Sequence, residues 1–114
     1  MTHYKVIFHV DEMDKWPLLI TNTRNLLEAL KDSKLEIEIL ANSIAVKNLI
    51  SVESNEYKDT LLNLSKSVQF SACNNSLKAL KIDPKDLYDF VKVVPSGVAE
   101  LTIKQHQGFS YIKP

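Results

Sequence analysis

The sequence predicts an α/β fold in which a five-stranded, mainly parallel sheet is covered by helices on both faces. Three observations carry this expectation. Stretches of strand length, apolar or alternating, recur along the chain and are separated by segments with helical spacing of apolar residues. Only two glycines and four prolines occur in 114 residues, which leaves little room for linkers and points to one domain spanning 1–114 without repeats. Cap-type polar residues also stand where strands should give way to helices.

The first strand is Tyr4 to Val10, with Tyr4, Val6, Phe8 and Val10 on one face and Ile7 on the other, as suits a strand buried on both sides. Asp14 is a candidate N-cap with Pro17 in the first turn. Leu19, Ile20, Thr23, Leu26, Leu27 and Leu30 then recur at helical spacing. Leu35, Ile37, Ile39 and Ala41 alternate with Glu36 and Glu38 in a second strand that stops at Asn42-Ser43. A short helix with Ala45, Val46, Leu49 and Ile50 inward follows, then a polar loop and a helix carrying Tyr57, Leu61 and Leu64.

Val68, Phe70 and Ala72 form a third strand that delivers Cys73 at its end, and Asn74, Asn75 and Ser76 open a helix with Leu77 and Leu80. Asp83-Pro84 begins a short helical turn. Val91 to Val94 is the fourth strand, Pro95-Ser96-Gly97 turns the chain, and Val98, Leu101 and Thr102 begin a helix closed by Gly108. Phe109 to Ile112 completes the sheet as the fifth strand.

Balanced charge, 14 Lys+Arg against 14 Asp+Glu, argues against nucleic acid or an anionic membrane as partner. No apolar run approaches the roughly 18 residues of a membrane span. The start MTHYKVIFHVDE lacks an export pattern, so the expected location is cytoplasmic. The single cysteine excludes an intramolecular disulfide, and no paired Cys/His spacing suggests zinc. No cofactor or metal is expected.

In open parallel sheets, ligands sit beyond the carboxyl ends of the strands. That rule gathers His9, Asp11, Asn42, Cys73, Asn74, Asn75, Ser96 and Gly97 at one edge. Cys73 leads, because a thiol facing the unpaired N–H groups of a helix start is biased toward the reactive thiolate. Its alternative is a small buried hydrophobe. His9 is a candidate for proton transfer or for orienting a carboxylate, set against a simple hydrogen-bonded histidine, and His3 and His106 are weaker candidates. Asp11, Glu12 and Asp14 read better as a solvated capping loop than as a cation site. Pro95-Ser96-Gly97 could offer N–H groups to an anion but lacks phosphate-loop spacing, and Asn42, Asn74 and Asn75 serve equally as caps or as ligand-orienting amides. Trp16 and Tyr111 are the candidate exposed aromatic contacts.

The segments VIFHVDE, LEIEILANS, VQFSACNNSLKAL and VVPSGVAELTIKQHQGFSYIKP together resemble the DsrE/DsrF-like (YchN-like) family over nearly the whole chain. The resemblance implies a three-layer α/β/α fold with a five-stranded parallel sheet, assembly as a homo-oligomer (trimer or hexamer), and a cytoplasmic role in sulfur metabolism. In the family's sulfur-relay members a cysteine after a central strand accepts sulfur as a persulfide and passes it to a partner protein. Cys73 occupies the matching position and is the only residue the resemblance marks as catalytic. Two other readings stay open: a noncatalytic module binding a small anion or nucleotide at the same edge, and a structural or regulatory oligomer subunit.

Overall fold

The computed structural model describes residues 2–114. Five strands, β1 (His3–Val10), β2 (Lys34–Ala41), β3 (Gln69–Cys73), β4 (Val91–Val94) and β5 (Ser110–Ile112), form one sheet in the order β4-β3-β2-β1-β5. Every neighbouring pair is parallel, so the expected mainly parallel sheet is wholly so. Helices α1 (Trp16–Ala29), α2 (Lys58–Leu64), α3 (Asn74–Ala79) and α4 (Gly97–His106) supply the connections with three 3-10 segments, Met13–Lys15, Ser43–Leu49 and Pro84–Asp86.

The register explains which side chains share a face. Val6, Phe8 and Val10 stand opposite Ile37, Ile39 and Ala41, and Ile39 and Ala41 stand opposite Phe70 and Ala72. These residues make the main core with Trp16, Leu19 and Ile20 of α1, Ala45, Val46 and Leu49, Leu61 and Leu64 of α2, and Leu77 of α3. The period-two alternation of parallel strands sends Ile7, Leu40 and Val94 to the other face, where they pack with Leu101 of α4 and Phe109. Because β5 lies beyond β1, the chain leaving β4 must cross the sheet, and α4 makes that crossing against β1, β2 and β5. The three layers are therefore unequal: most helices sit on one face and α4 on the other.

Several local expectations are corrected. Trp16 is buried, and its indole Nε1 donates to the Ala45 carbonyl at 3.1 Å, so it joins α1 to the following 3-10 segment and is no exposed contact. Asp14 caps nothing. A 3-10 turn, Met13–Lys15, precedes α1, and neither Glu12 nor Lys15 makes a side-chain cap. The segment after β2 is 3-10 throughout, not a short α-helix, and ends with Ile50 already extended. Asn74, Asn75 and Ser76 do not cap α3 either, because Cys73 itself is the N-cap residue. The Asp83-Pro84 reading agrees, with Asp83 accepting the Lys85 N–H at 2.9 Å. Gly108 follows α4 at φ 93, a conformation that favours glycine.

Candidate functional site

The carboxyl ends of β1, β2, β3 and β4 bring His9, Asn42, Cys73 and Gly97 to one edge. Cys73 is 5% exposed. The Gly97 N–H, first of α4, donates to its Sγ at 3.2 Å. The N–H groups of Asn75 and Ser76 in the first turn of α3 are directed at the same sulfur without closing a capping hydrogen bond. Burial alone pushes the thiol up. The Ser76 hydroxyl and the N–H groups of Ser76, Gly97 and Asn75 together outweigh it and hold the thiol below its ordinary range.

Gly97 sits in close quarters. A Cβ there would lie 3.3 Å from the Cβ atoms of Asn42 and Cys73 and 3.5 Å from Sγ, so a larger residue brings its N–H as near to the sulfur only if these neighbours give by a few tenths of an ångström. The residue after Asn42 is strained for the same region. Ser43 sits at φ 53, and its N–H donates to the Ser76 hydroxyl oxygen at 2.7 Å. The hydroxyl proton of Ser76 is then left to face Cys73.

A hydrogen-bonded chain approaches from β5. His9 Nε2 lies 2.9 Å from Asn42 Oδ1 and Nδ1 lies 2.7 Å from the Tyr111 hydroxyl. Since Oδ1 can only accept, Nε2 carries the hydrogen, and in the neutral ring Tyr111 donates to Nδ1. Of the two aromatic residues expected as exposed contacts, Tyr111 is the one at the surface, and its role is to hold His9. An open groove of about 370 Å³ is lined by polar Asn42, Ser43, Asn75 and Ser76 and by aliphatic Ile44, Ala79 and Leu80; Cys73 is not part of its lining, and Asn75 and Ser76, whose N–H groups face the sulfur, connect the two.

The other expected residues are placed differently. Asp11 forms an ion pair with Lys113 at 3.2 Å. Ser96 caps α4 by accepting the Ala99 N–H at 3.2 Å. Asn74 is half-buried at the first position of α3, and Asn75 contributes its backbone to the sulfur and its side chain to the groove. No group of three or more His, Cys, Asp or Glu side chains able to hold a metal ion occurs among the described residues.

A second polar cluster lies beneath α4 and was not read from the sequence. Glu38 is 2% exposed in β2, between Ile7 and Gln69 in register. Lys104 of α4 approaches it at 3.5 Å. As carboxylates, Glu38 and Glu100 leave Glu38 Oε1 and Oε2 and Glu100 Oε2 without a hydrogen-bond donor among the described residues. A proton on Glu38 would supply a donor where the two carboxyl groups meet. Burial first, then the hydrogen bond with Glu100, pushes Glu38 up to about 7. Alternation with Ile37 and Ile39 makes Glu38 look like Glu36, but Glu36 is exposed at the edge His3 reaches, while α4 lies over Glu38.

Comparison with known proteins follows the fold. The protein of unknown function MTH1491 from Methanobacterium thermoautotrophicum is 38% identical, with a TM-score of 0.88 over 97% of this chain and 99% of that one. The ychN protein from E. coli shares the fold at 15% identity, with a TM-score of 0.74 over 97% of this chain and 99% of that one. None of the curated proteins matches the sequence. The DsrE/DsrF-like family model matches residues 7–114, and with the five-stranded parallel sheet and its helical layers this places the chain in the DsrE/DsrF-like family.

Proposed function

We propose that this protein is a sulfur-relay subunit that accepts sulfane sulfur on Cys73 as a persulfide and passes it to a partner protein. The observation that carries the reading is the convergence of donors from α3 and α4 on one sulfur, which favours the thiolate despite burial. In the reaction, the Cys73 thiolate attacks the outer sulfur of a donor R–S–SH, the sulfur–sulfur bond of the donor breaks, and R–S⁻ leaves with the electron pair. An acceptor thiolate then takes the outer sulfur and regenerates Cys73. The same donors that stabilise the thiolate at rest stabilise the leaving Cys73 thiolate in the second step. Family membership supports the reading. No helix is long and apolar enough to cross a membrane among the described residues, and the setting proposed for this relay is the cytoplasm.

The test is intact mass after incubation with a sulfane-sulfur donor, with Cys73→Ser as control. The expected result is a gain of about one sulfur, removed by reductant and confined to wild type. A wild-type mass that never changes sinks the proposal. One observation favours a second reading: at 5% exposure Cys73 has the burial of an inert structural thiol. In that reading the chain is a structural oligomer subunit, and folded protein resists alkylation even by the smallest reagents.

A further inference from the structure

The groove beside Cys73 has a chemistry of its own. Its lining combines polar Asn42, Ser43, Asn75 and Ser76 with the aliphatic surface of Ile44, Ala79 and Leu80, and the Ser76 hydroxyl is already engaged by the Ser43 N–H and Cys73. Asn42 is held in one orientation, because its Oδ1 is taken by His9 Nε2 and the ring is fixed from behind by Tyr111. The Nδ2 hydrogens of Asn42 have no partner among the described residues and remain for a ligand. No lysine or arginine lines the groove, so recognition there rests on neutral hydrogen-bonding groups and on the aliphatic lining, which an inorganic polysulfide has no alkyl group to use. The volume, about 370 Å³, lies at the small end of ligand sites.

We infer that this groove is the leaving-group subsite for a small organic persulfide, R–S–SH, whose aliphatic R group carries a carboxylate or amide. The inference rests on the reading of Cys73 as sulfur acceptor and names the class of molecule that supplies the sulfur. The carboxylate or amide oxygen of R accepts from Asn42 Nδ2 and Asn75. The alkyl chain lies along Ile44 and Leu80, and the outer sulfur is directed toward Cys73. Transfer leaves R–S⁻ in the groove and Cys73–S–SH on the protein, with no net oxidation. Asn42 is a binding residue in this scheme, whereas His9 and Tyr111 are positioning residues that act through it.

The experiment measures the rate at which Cys73 gains one sulfur, by intact mass, from cysteine persulfide and from inorganic polysulfide, and compares the ratio of the two rates between variants. Wild type is expected to favour cysteine persulfide. Asn42→Ala is expected to lower the ratio about tenfold, the effect of one hydrogen bond to a charged group. Tyr111→Phe lowers it by a smaller factor, because only the hold on His9 is lost. Ile44→Trp, at a position 43% exposed and so tolerant of bulk, fills the groove and lowers the ratio without touching the hydrogen-bonded chain. It keeps the test decisive if Asn42→Ala does not fold. Loading by both donors with a ratio that neither Asn42→Ala nor Ile44→Trp changes overturns the subsite while leaving the carrier reading intact. Loading by neither donor overturns both.

Discussion

The thiol environment depends on single atoms. Replacing Gly97 with alanine places a methyl group 3.3 Å from the Cβ atoms of Asn42 and Cys73, tighter than the packing permits without movement. We expect Gly97→Ala to cost about 1–3 kcal/mol, typical of overpacking, and to lengthen the Gly97 N–H contact to sulfur. Loss of that donor moves the Cys73 thiol up toward its ordinary range, so the pH midpoint for alkylation rises relative to wild type. Urea denaturation and the pH profile of alkylation check the two effects separately. An unchanged midpoint means that Gly97 does not tune the thiol. That Cys73, Asn42 and Gly97 meet at one edge was legible because each stands at or shortly after the end of a recognisable strand. The contribution of Ser76 was not, since it depends on Ser43 adopting φ 53 to place its N–H on the hydroxyl across a gap of 33 residues.

At the scale of elements, α4 joins the two polar clusters. Its first N–H serves Cys73, while Glu100 and Lys104 stand over Glu38. With its pKa pushed from 4.5 to about 7, Glu38 binds its proton more tightly folded than unfolded. The native state therefore gains nothing from ionisation. The relative stability present below about pH 4.5 is lost as pH rises from there to about 7 and stays lost above it. Glu38→Gln keeps a neutral, hydrogen-bonding group of the same shape and removes this penalty. The expected result is a variant about 2–3 kcal/mol more stable than wild type at pH 8, with the difference shrinking toward pH 5. Denaturant titrations across that range check it, and a variant equally destabilised at both ends contradicts the raised pKa of Glu38. The pattern of β2 could not disclose this cluster. Glu36 and Glu38 occupy equivalent places in an alternating strand, and only the path of α4 separates an exposed carboxylate from a buried one.

For the whole molecule, strand order decides what meets what. Placing β5 beside β1 brings Tyr111 to His9 across 102 residues of sequence, and α4 must cross the sheet to make this possible. The crossing leaves Val98 and Ile103 of α4 and Tyr111 and Ile112 of β5 at the surface, between 39% and 69% exposed. These apolar residues support the proposal that the protein assembles as a homotrimer or homohexamer. Light scattering at micromolar concentration is expected to return three or six chain masses, and a monomer across the accessible range contradicts it. Alternation of strands and helices gives a parallel sheet, but not the order of its strands.

The sequence alone determined the strands and most of the helices, because hydrophobic periodicity reports which side of an element is buried and caps report where it ends. It also determined that one thiol stands where a strand meets a helix. Only the tertiary structure decided that a second helix start, following β4, reaches the same sulfur, that Trp16 is core, and that one glutamate of an alternating pair is buried with its pKa pushed up. The reason is physical: periodicity is a property of neighbours along the chain. Hydrogen bonds to Cys73 and the desolvation of Glu38 are instead set by groups brought together from distant segments by the order of the sheet.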